Sequence, residues 1–154
     1  DIFITCFAEG PWNNMALSLY GDSGKGVMFV FDSEKLEENF QTRLIPIKYQ
    51  FSPPVCSSSG IEHAFTAKHV PWEYEKEWRI YKRSNIVYTK VSNGIIKPYI
   101  EIAIPIDCLD EVVIGPCVSN KEQAIKAIEI LLDRKITNKK IKVRQSEINS
   151  YRNI

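Results

Sequence analysis

Two glutamates and an arginine alternate at the centre of the sequence, and their spacing is its strongest chemical signal. The segment reads Glu75-x-Glu77-x-Arg79. On a β-strand, side chains two residues apart point to the same face and lie roughly 6.5–7 Å apart. The guanidinium then keeps Glu77 ionised, because a neighbouring cation favours the charged carboxylate. Inside a cleft, such a group could stabilise a developing positive charge or orient a hydroxyl.

The flanking residues predict the strand that positions these charges. Residues 72–82 alternate with period two. One face carries Glu73, Glu75, Glu77, Arg79 and Tyr81, and the other carries Trp72, Tyr74, Trp78 and Ile80 together with Lys76. We expect this aromatic face to pack on the core. The charged face then either lines a cleft or is the solvated face of an edge strand, and the sequence leaves both open.

The remaining hydrophobic pattern predicts an α+β fold with a mostly antiparallel mixed sheet and a few helices. Strands are expected at residues 2–7, 26–32, 44–51, 99–106, 111–114 and 140–145, and helices at 14–20, after Ser33 and from Ser119 to about Arg134. The run 26–32 is apolar on both faces, which indicates a central strand. Gly21 and Gly24, which we expect to adopt positive φ angles, and the Ser92-Asn93-Gly94 sequence mark turns.

Composition describes a globular protein. The chain has 154 residues, of which 44% are hydrophobic and 25% are charged, so a disordered chain is excluded. We interpret residues 1–154 as a single domain. No apolar run reaches the ~20 residues of a membrane span, so we expect no membrane partner and a cytoplasmic location. The chain passes from Asp1 directly into an apolar run, from which we expect that an N-terminal part is missing.

Cysteine and histidine spacing argues against a metal centre. The four cysteines stand at positions 6, 56, 108 and 117 with no C-x-x-C pair, and the two histidines are His63 and His69. These spacings fit no zinc site. We therefore expect buried, reduced thiols and no bound metal.

Charge is balanced over the whole chain but uneven along it. The sequence has 20 basic and 19 acidic residues, and residues 134–152 alone hold seven bases and one acid. A basic segment attracts phosphate-rich partners, although lysines also occur on ordinary edge strands. One functional hypothesis is therefore a non-catalytic nucleic-acid-binding or ligand-sensing module that uses Lys139, Lys140 and Lys142. Another is a metal-dependent nuclease, which needs a third carboxylate beside Glu75 and Glu77.

Three groups of residues follow one another along nearly the whole chain. They are Cys6-Phe7-Ala8-Glu9 with Tyr20 and the strand from Gly26; Phe65, Lys68 and Trp72 ahead of the E-x-E-x-R segment; and E-V-V-I-G-P at 111–116. In this order they resemble the motifs of the bacterial family known as domain of unknown function 2971. The chain departs from the family at Leu17, where the family has tryptophan, and at Ala8, where it has serine.

The resemblance implies an enzyme that uses NAD. The family is similar to ADP-ribosyltransferase-like domains, which include toxin and phage-defence enzymes that modify nucleic acid or protein. In those domains, a strand glutamate binds the ribose 2′-hydroxyl of NAD as nicotinamide leaves, and the first glutamate of an E-x-E pair serves the acceptor. By resemblance, Glu77 takes the first role, Glu75 orients the acceptor and Tyr20 stacks against nicotinamide. The remaining candidates are Arg79 in the catalytic group, with Lys68 and Trp72 as further NAD contacts.

Overall fold

A computed structural model describes residues 2–10, 14–52, 65–85, 87–135 and 139–147. Within these ranges the chain forms an α+β fold with mostly antiparallel sheets and few helices, which confirms the predicted class. The elements are β1 (Ile2–Ala8), α1 (Asn14–Tyr20), β2 (Val27–Phe31), α2 (Ser33–Phe40), β3 (Ile45–Pro46), β4 (Lys48–Gln50), β5 (Ala67–His69), a 3-10 helix (Val70–Glu75), β6 (Glu77–Arg83), β7 (Tyr88–Ser92), β8 (Ile95–Tyr99), a second 3-10 helix (Ile106–Cys108), β9 (Leu109–Ile114), α3 (Lys121–Lys135) and β10 (Lys142–Gln145).

The first sheet places Glu77 and Arg79 on its central strand, β6. Its order is β1-β6-β3, and both neighbours run antiparallel to β6. Ala8 lies opposite Glu77, while Cys6 and Ile45 lie opposite Arg79 on either side. The alternative of a solvated edge strand is therefore wrong.

The strand predicted at 72–82 is correct only from Glu77 onward. Residues 70–75 form a 3-10 helix instead, because Pro71 fixes its backbone angle and removes an N–H at the start of the turn. Lys76 ends that helix in the left-handed conformation, with φ of 44°, and its N–H bonds to the carbonyl of Glu73 at 3.1 Å. The predicted aromatic core face is correspondingly broken, since Ile80 is fully buried whereas Trp72 is 45% exposed.

The second sheet has the order β10-β9-β2, and β9 is its buried centre. β2 pairs antiparallel with β9, and β10 pairs parallel with β9 after the crossover through α3. The prediction that 26–32 is a central strand is wrong, because β2 lies at an end of this sheet. Its apolar residues do not face a second neighbouring strand; Phe29 instead lines a cavity between the two sheets.

Helix α2 joins the two sheets into one core. Asp32, rather than the predicted Ser33, caps it by accepting backbone N–H bonds from Glu34 and Lys35. The core cluster around this helix consists of Leu36, Phe40, Ile80 and Cys108, with Phe7, Phe31, Leu44 and Ile102 packed against it. A second cluster holds α3 on β9 and comprises Leu109, Val112 and Ile141 with Phe31, Ile128, Leu132 and Val143.

Two further predicted strands differ from the structure. Residues 44–51 divide into the short strands β3 and β4. The strand predicted at 99–106 instead occupies 95–99, because the turn at Asn93-Gly94 pairs β8 with β7. Pro105 then precedes a 3-10 turn, so the later residues cannot continue a strand. None of the helices in the described ranges is long and apolar enough to cross a membrane.

The turn after α1 is held by close backbone contacts. Asp22, Ser23 and Gly24 have left-handed backbone conformations, whereas Gly21, predicted to need one, does not. Gly115 donates its N–H to the carbonyl of Gly26 at 2.9 Å. A Cβ atom at Gly115 would lie 2.2 Å from the carbonyl oxygen of Gly24, so only glycine allows this approach.

Candidate active site

A cavity of about 510 Å³ opens where α1 and β1 meet β6, and the predicted catalytic residues line it. Its charged and polar lining comprises Tyr20, Lys68, Glu75, Glu77 and Arg79. Its volume falls in the range of small-molecule sites, ~300–1,000 Å³. The charged face of β6 therefore belongs to a concave site rather than to a flat surface.

Glu77 is the centre of the charge network. The residue is only 6% exposed, and the Arg79 guanidinium forms a two-point contact with it. Nε donates to Oε1 at 2.7 Å and Nη2 donates to Oε2 at 3.1 Å. The Lys68 ammonium adds a third bond, to Oε2 at 3.2 Å. Both carboxylate oxygens are thus held by cations inside the protein, where such bonds are strong.

These cations keep Glu77 ionised. Burial alone would raise the pKa of the carboxyl, but hydrogen bonds from Arg79, Cys6 and Lys68 outweigh burial and lower the pKa to about 2. A carboxylate with that pKa is a poor proton acceptor at neutral pH. Glu77 therefore stays ionised, and its negative charge is paired with the Arg79 and Lys68 cations.

Glu75 completes the network from the end of the 3-10 helix. It is 5% exposed; its Oε1 accepts a hydrogen bond of 2.8 Å from the Tyr20 hydroxyl, and its Oε2 contacts the Lys68 ammonium. The bond to Glu75 raises the pKa of the Tyr20 phenol, so the hydroxyl remains a donor. Lys68 therefore links the two carboxylates. Between Glu75 and Glu77 in the sequence, Lys76 has a left-handed backbone conformation, which lets both carboxylates contact the Lys68 ammonium.

Trp72 supports this site from outside the cavity. It is not among the lining residues; the Lys68 ammonium lies 5.0 Å from the centre of its ring, a cation–π contact. Tyr74 packs against the same tryptophan, with 6.1 Å between ring centres. The structure thus brings together five of the six predicted site residues around the cavity and gives the sixth, Trp72, a place behind Lys68.

Two further contacts hold β6 in place. The Tyr49 hydroxyl accepts a 2.8 Å bond from the backbone N–H of Glu77. Arg79 Nη1 donates to the carbonyl of Phe65 at 2.8 Å, so the guanidinium is anchored at its far end as well. Sequence reasoning missed Tyr49, and its place in a predicted strand carried no signal of this contact.

Cys6 is the other site residue that the sequence did not indicate. It lines the cavity from β1. Cys6 and Cys117 are exposed, contrary to the predicted burial, whereas Cys108 is buried as predicted. Cys56 lies outside the described residues. Desolvation within the cleft and the nearby Glu77 carboxylate raise the pKa of the Cys6 thiol to about 11. The protonated thiol is a weak nucleophile, which argues against thiolate catalysis.

An apolar compartment continues the cleft on the other side of β1. It has a volume of about 750 Å³ and shares Cys6, Phe7, Ala8, Tyr20 and Met28 with the charged cavity. The rest of its wall includes the aromatic side chains Phe29, Phe31 and Trp78 and also the carboxylates Glu9 and Glu37. The cleft therefore joins the cluster of paired charges to a wall with several aromatic side chains, which suits a ligand with both a polar and a planar apolar part.

Three bases of the basic segment near the C-terminus are paired with acids. Lys139 bonds to Asp110 at 2.8 Å, and Glu111 accepts from both Lys142, at 3.0 Å, and Arg144, at 2.9 Å. The hypothesis of a phosphate-binding module built on Lys139, Lys140 and Lys142 therefore involves two lysines that already have acidic partners, and it stays a prediction.

The metal-dependent hypothesis is also not favoured. It needs a third carboxylate beside Glu75 and Glu77, and the described part of the chain contains no cluster of three His, Cys, Asp or Glu residues placed to hold a metal ion. The Lys68 ammonium occupies the position between the two carboxylates. His63 lies outside the described ranges, and His69 is in β5.

Comparison with known proteins gives no relative. No protein-family model matches the sequence, and no curated protein and no solved structure matches the chain. The resemblance to domain of unknown function 2971 and to ADP-ribosyltransferases therefore stays a prediction, and functional inference rests on the site itself.

Proposed function

We propose that this chain is an ADP-ribosyltransferase-like enzyme that cleaves NAD and transfers its ADP-ribose. One observation carries the proposal: two buried glutamates, held by one lysine and one arginine, form the wall of an open cavity beside an exposed tyrosine ring. The ionised carboxylates of this cavity match the positive charge that develops on the ribose when the bond to nicotinamide breaks.

Glu77 supplies the stabilising charge in this mechanism. When the bond between ribose C1′ and the nicotinamide nitrogen breaks, the electron pair leaves with nicotinamide and the ribose ring becomes cationic. An ionised carboxylate at the ribose 2′-hydroxyl favours that cation electrostatically. Because its pKa is about 2, Glu77 carries the charge throughout the neutral range without taking up a proton.

Glu75 and Tyr20 serve the two partners of the transfer. Glu75 orients the nucleophile of the acceptor, which then bonds to C1′ and passes its proton to water. Tyr20 is 74% exposed although its hydroxyl is tied to Glu75, so its ring is available to stack on nicotinamide. A nucleic-acid or protein acceptor, and a setting in a toxin or phage-defence system, stay predictions from the resemblance.

The proposal is tested by measuring nicotinamide release from NAD. We expect Glu77→Gln to lower the rate about 100- to 1,000-fold, the typical loss when one stabilising group of this kind is removed. Glu129→Gln, on the exposed face of α3, is the matched control and should leave the rate unchanged. Circular dichroism at the assay temperature verifies that both variants are folded. Full activity of folded Glu77→Gln would contradict the proposal.

A second variant separates the two glutamates. Glu75→Gln should retain NAD hydrolysis but lose transfer to an added acceptor, because the acceptor step alone depends on it. A divalent-ion chelator should leave both activities unchanged, whereas a chelator-sensitive activity would favour the metal-dependent hypothesis.

A further inference from the structure

The hairpin β7–β8 is a two-stranded ribbon that pairs with no other strand in the described part of the chain. All ten of its strand positions are at least partly open to solvent, with four exposed and one intermediate residue in each strand. A two-stranded hairpin is only marginally stable by itself, so the side chains that it exposes are informative about what it contacts.

Two lysines face each other across this hairpin. Lys90 lies directly opposite Lys97 in the register, and like charges in that position destabilise a strand pair. Neither lysine forms an ion pair with a described residue. The surrounding residues 82–100 contain four bases and no acid, so the repulsion is not offset by local sequence. An anionic partner would relieve it.

Two tyrosines lie on the same face as the lysines. Tyr88 is opposite Tyr99, with 5.7 Å between ring centres, and the Lys90 ammonium lies 5.4 Å from the centre of the Tyr99 ring. The strand period of two places all four side chains on one side of the ribbon. Cationic and aromatic groups therefore alternate across a single face.

We propose that this face of the hairpin binds single-stranded nucleic acid. Phosphates would bridge Lys90 and Lys97, and bases would stack on Tyr88 and Tyr99, the combination by which sequence-tolerant sites hold single strands. The proposal concerns a surface separate from the cleft and stands whether or not the chain cleaves NAD.

The opposite face supplies a control. Val91 and Ile96 lie opposite each other there and are 74% and 70% exposed. A membrane surface or an apolar protein partner would need these side chains, whereas a nucleic acid held by the tyrosine–lysine face would not.

The test is fluorescence anisotropy of a labelled single-stranded oligonucleotide of roughly 16 nucleotides, titrated with the full chain over a range of salt concentrations. We expect the double substitution Lys90→Gln and Lys97→Gln to reduce the slope of log affinity against log salt by about 1.4, or ~0.7 for each phosphate contact. These changes remove a repulsion within the hairpin, so weaker binding cannot be attributed to its unfolding. Tyr88→Ala should weaken binding about tenfold, whereas Tyr88→Phe, which keeps the ring, should not.

The control substitutions Val91→Ser and Ile96→Ser should leave oligonucleotide binding unchanged. An unchanged salt slope in the double lysine variant would overturn the proposal. So would loss of binding in the Val91→Ser, Ile96→Ser variant, or wild-type binding to vesicles with anionic headgroups in preference to the oligonucleotide. Nicotinamide release, measured on the same variants, should be unaffected, which separates this proposal from that of the cleft.

Discussion

The charge network around Glu77 predicts how the stability of the protein depends on pH. Its pKa falls from 4.5 to about 2 on folding, which corresponds to about 3 kcal/mol of unfolding free energy. Since the folded-state pKa is the lower one, this contribution is complete above pH 4.5 and is lost as the pH falls toward 2. Glu77→Gln removes the charge and leaves Lys68 and Arg79 without their shared partner.

Urea denaturation followed by tryptophan fluorescence measures the effect. At about pH 6 we expect Glu77→Gln to be about 3 kcal/mol less stable than the wild type, similar to the cost of breaking other buried ion pairs. At about pH 3 the wild-type carboxylate has itself lost most of its contribution. The difference between the two proteins should therefore shrink by about 2 kcal/mol.

The control is Glu129→Gln, which removes one negative charge at an exposed position. Its unfolding free energy should parallel that of the wild type at every pH. If the difference between wild type and Glu77→Gln were the same at both pH values, the network would not be holding the pKa of Glu77 down. The predicted electrostatic contribution of Glu77 to the unfolding free energy would then be wrong.

Three further predictions follow from other contacts. The Cys6 thiol, with its pKa raised to about 11, should be alkylated by iodoacetamide near neutral pH more slowly than Cys117, which is also exposed. Peptide mass spectrometry measures both rates, and equal rates would contradict this. Gly115→Ala should lower the unfolding free energy by about 1–3 kcal/mol in urea denaturation, because the alanine methyl group would overlap the Gly24 carbonyl. An unchanged free energy would show that the turn can move to make room. Under the proposed NAD cleavage, Tyr20→Phe should leave the KM for NAD unchanged, whereas Tyr20→Ala should raise it. Equal KM values in the two variants would exclude stacking of nicotinamide on the Tyr20 ring.

The core of the site could be predicted because its residues are close in sequence. Because Glu75, Glu77 and Arg79 follow one another at intervals of two residues, any local conformation that turns their side chains to the same side of the chain brings them together. Cys6 and Tyr49 could not be found in this way, because they reach Glu77 only through the pairing of β1 with β6 and the position of β4 beside it. Those contacts depend on register, which local sequence does not specify.

The fold shows the same division between local and distant determinants. The helix α3 and the strand β9 have strong local patterns, and both occur where they were expected. The wrong assignments arose where one residue overrode a pattern, as Pro71 did by starting a 3-10 helix within an alternating run. For β2, two-sided hydrophobicity arose from a cleft rather than from a second neighbouring strand.

The register of β1 on β6 has a consequence for folding. It joins residues 2–8 to residues 77–83, so the wall that carries Cys6 and the strand that carries Glu77 and Arg79 meet only after a long loop has closed. Loop closure on this scale costs entropy before the contacts form, and such contacts tend to slow folding. We therefore expect the cleft to be assembled after the local hairpin β7–β8, and the proposed NAD cleavage to recover later than secondary structure when the denatured chain is refolded.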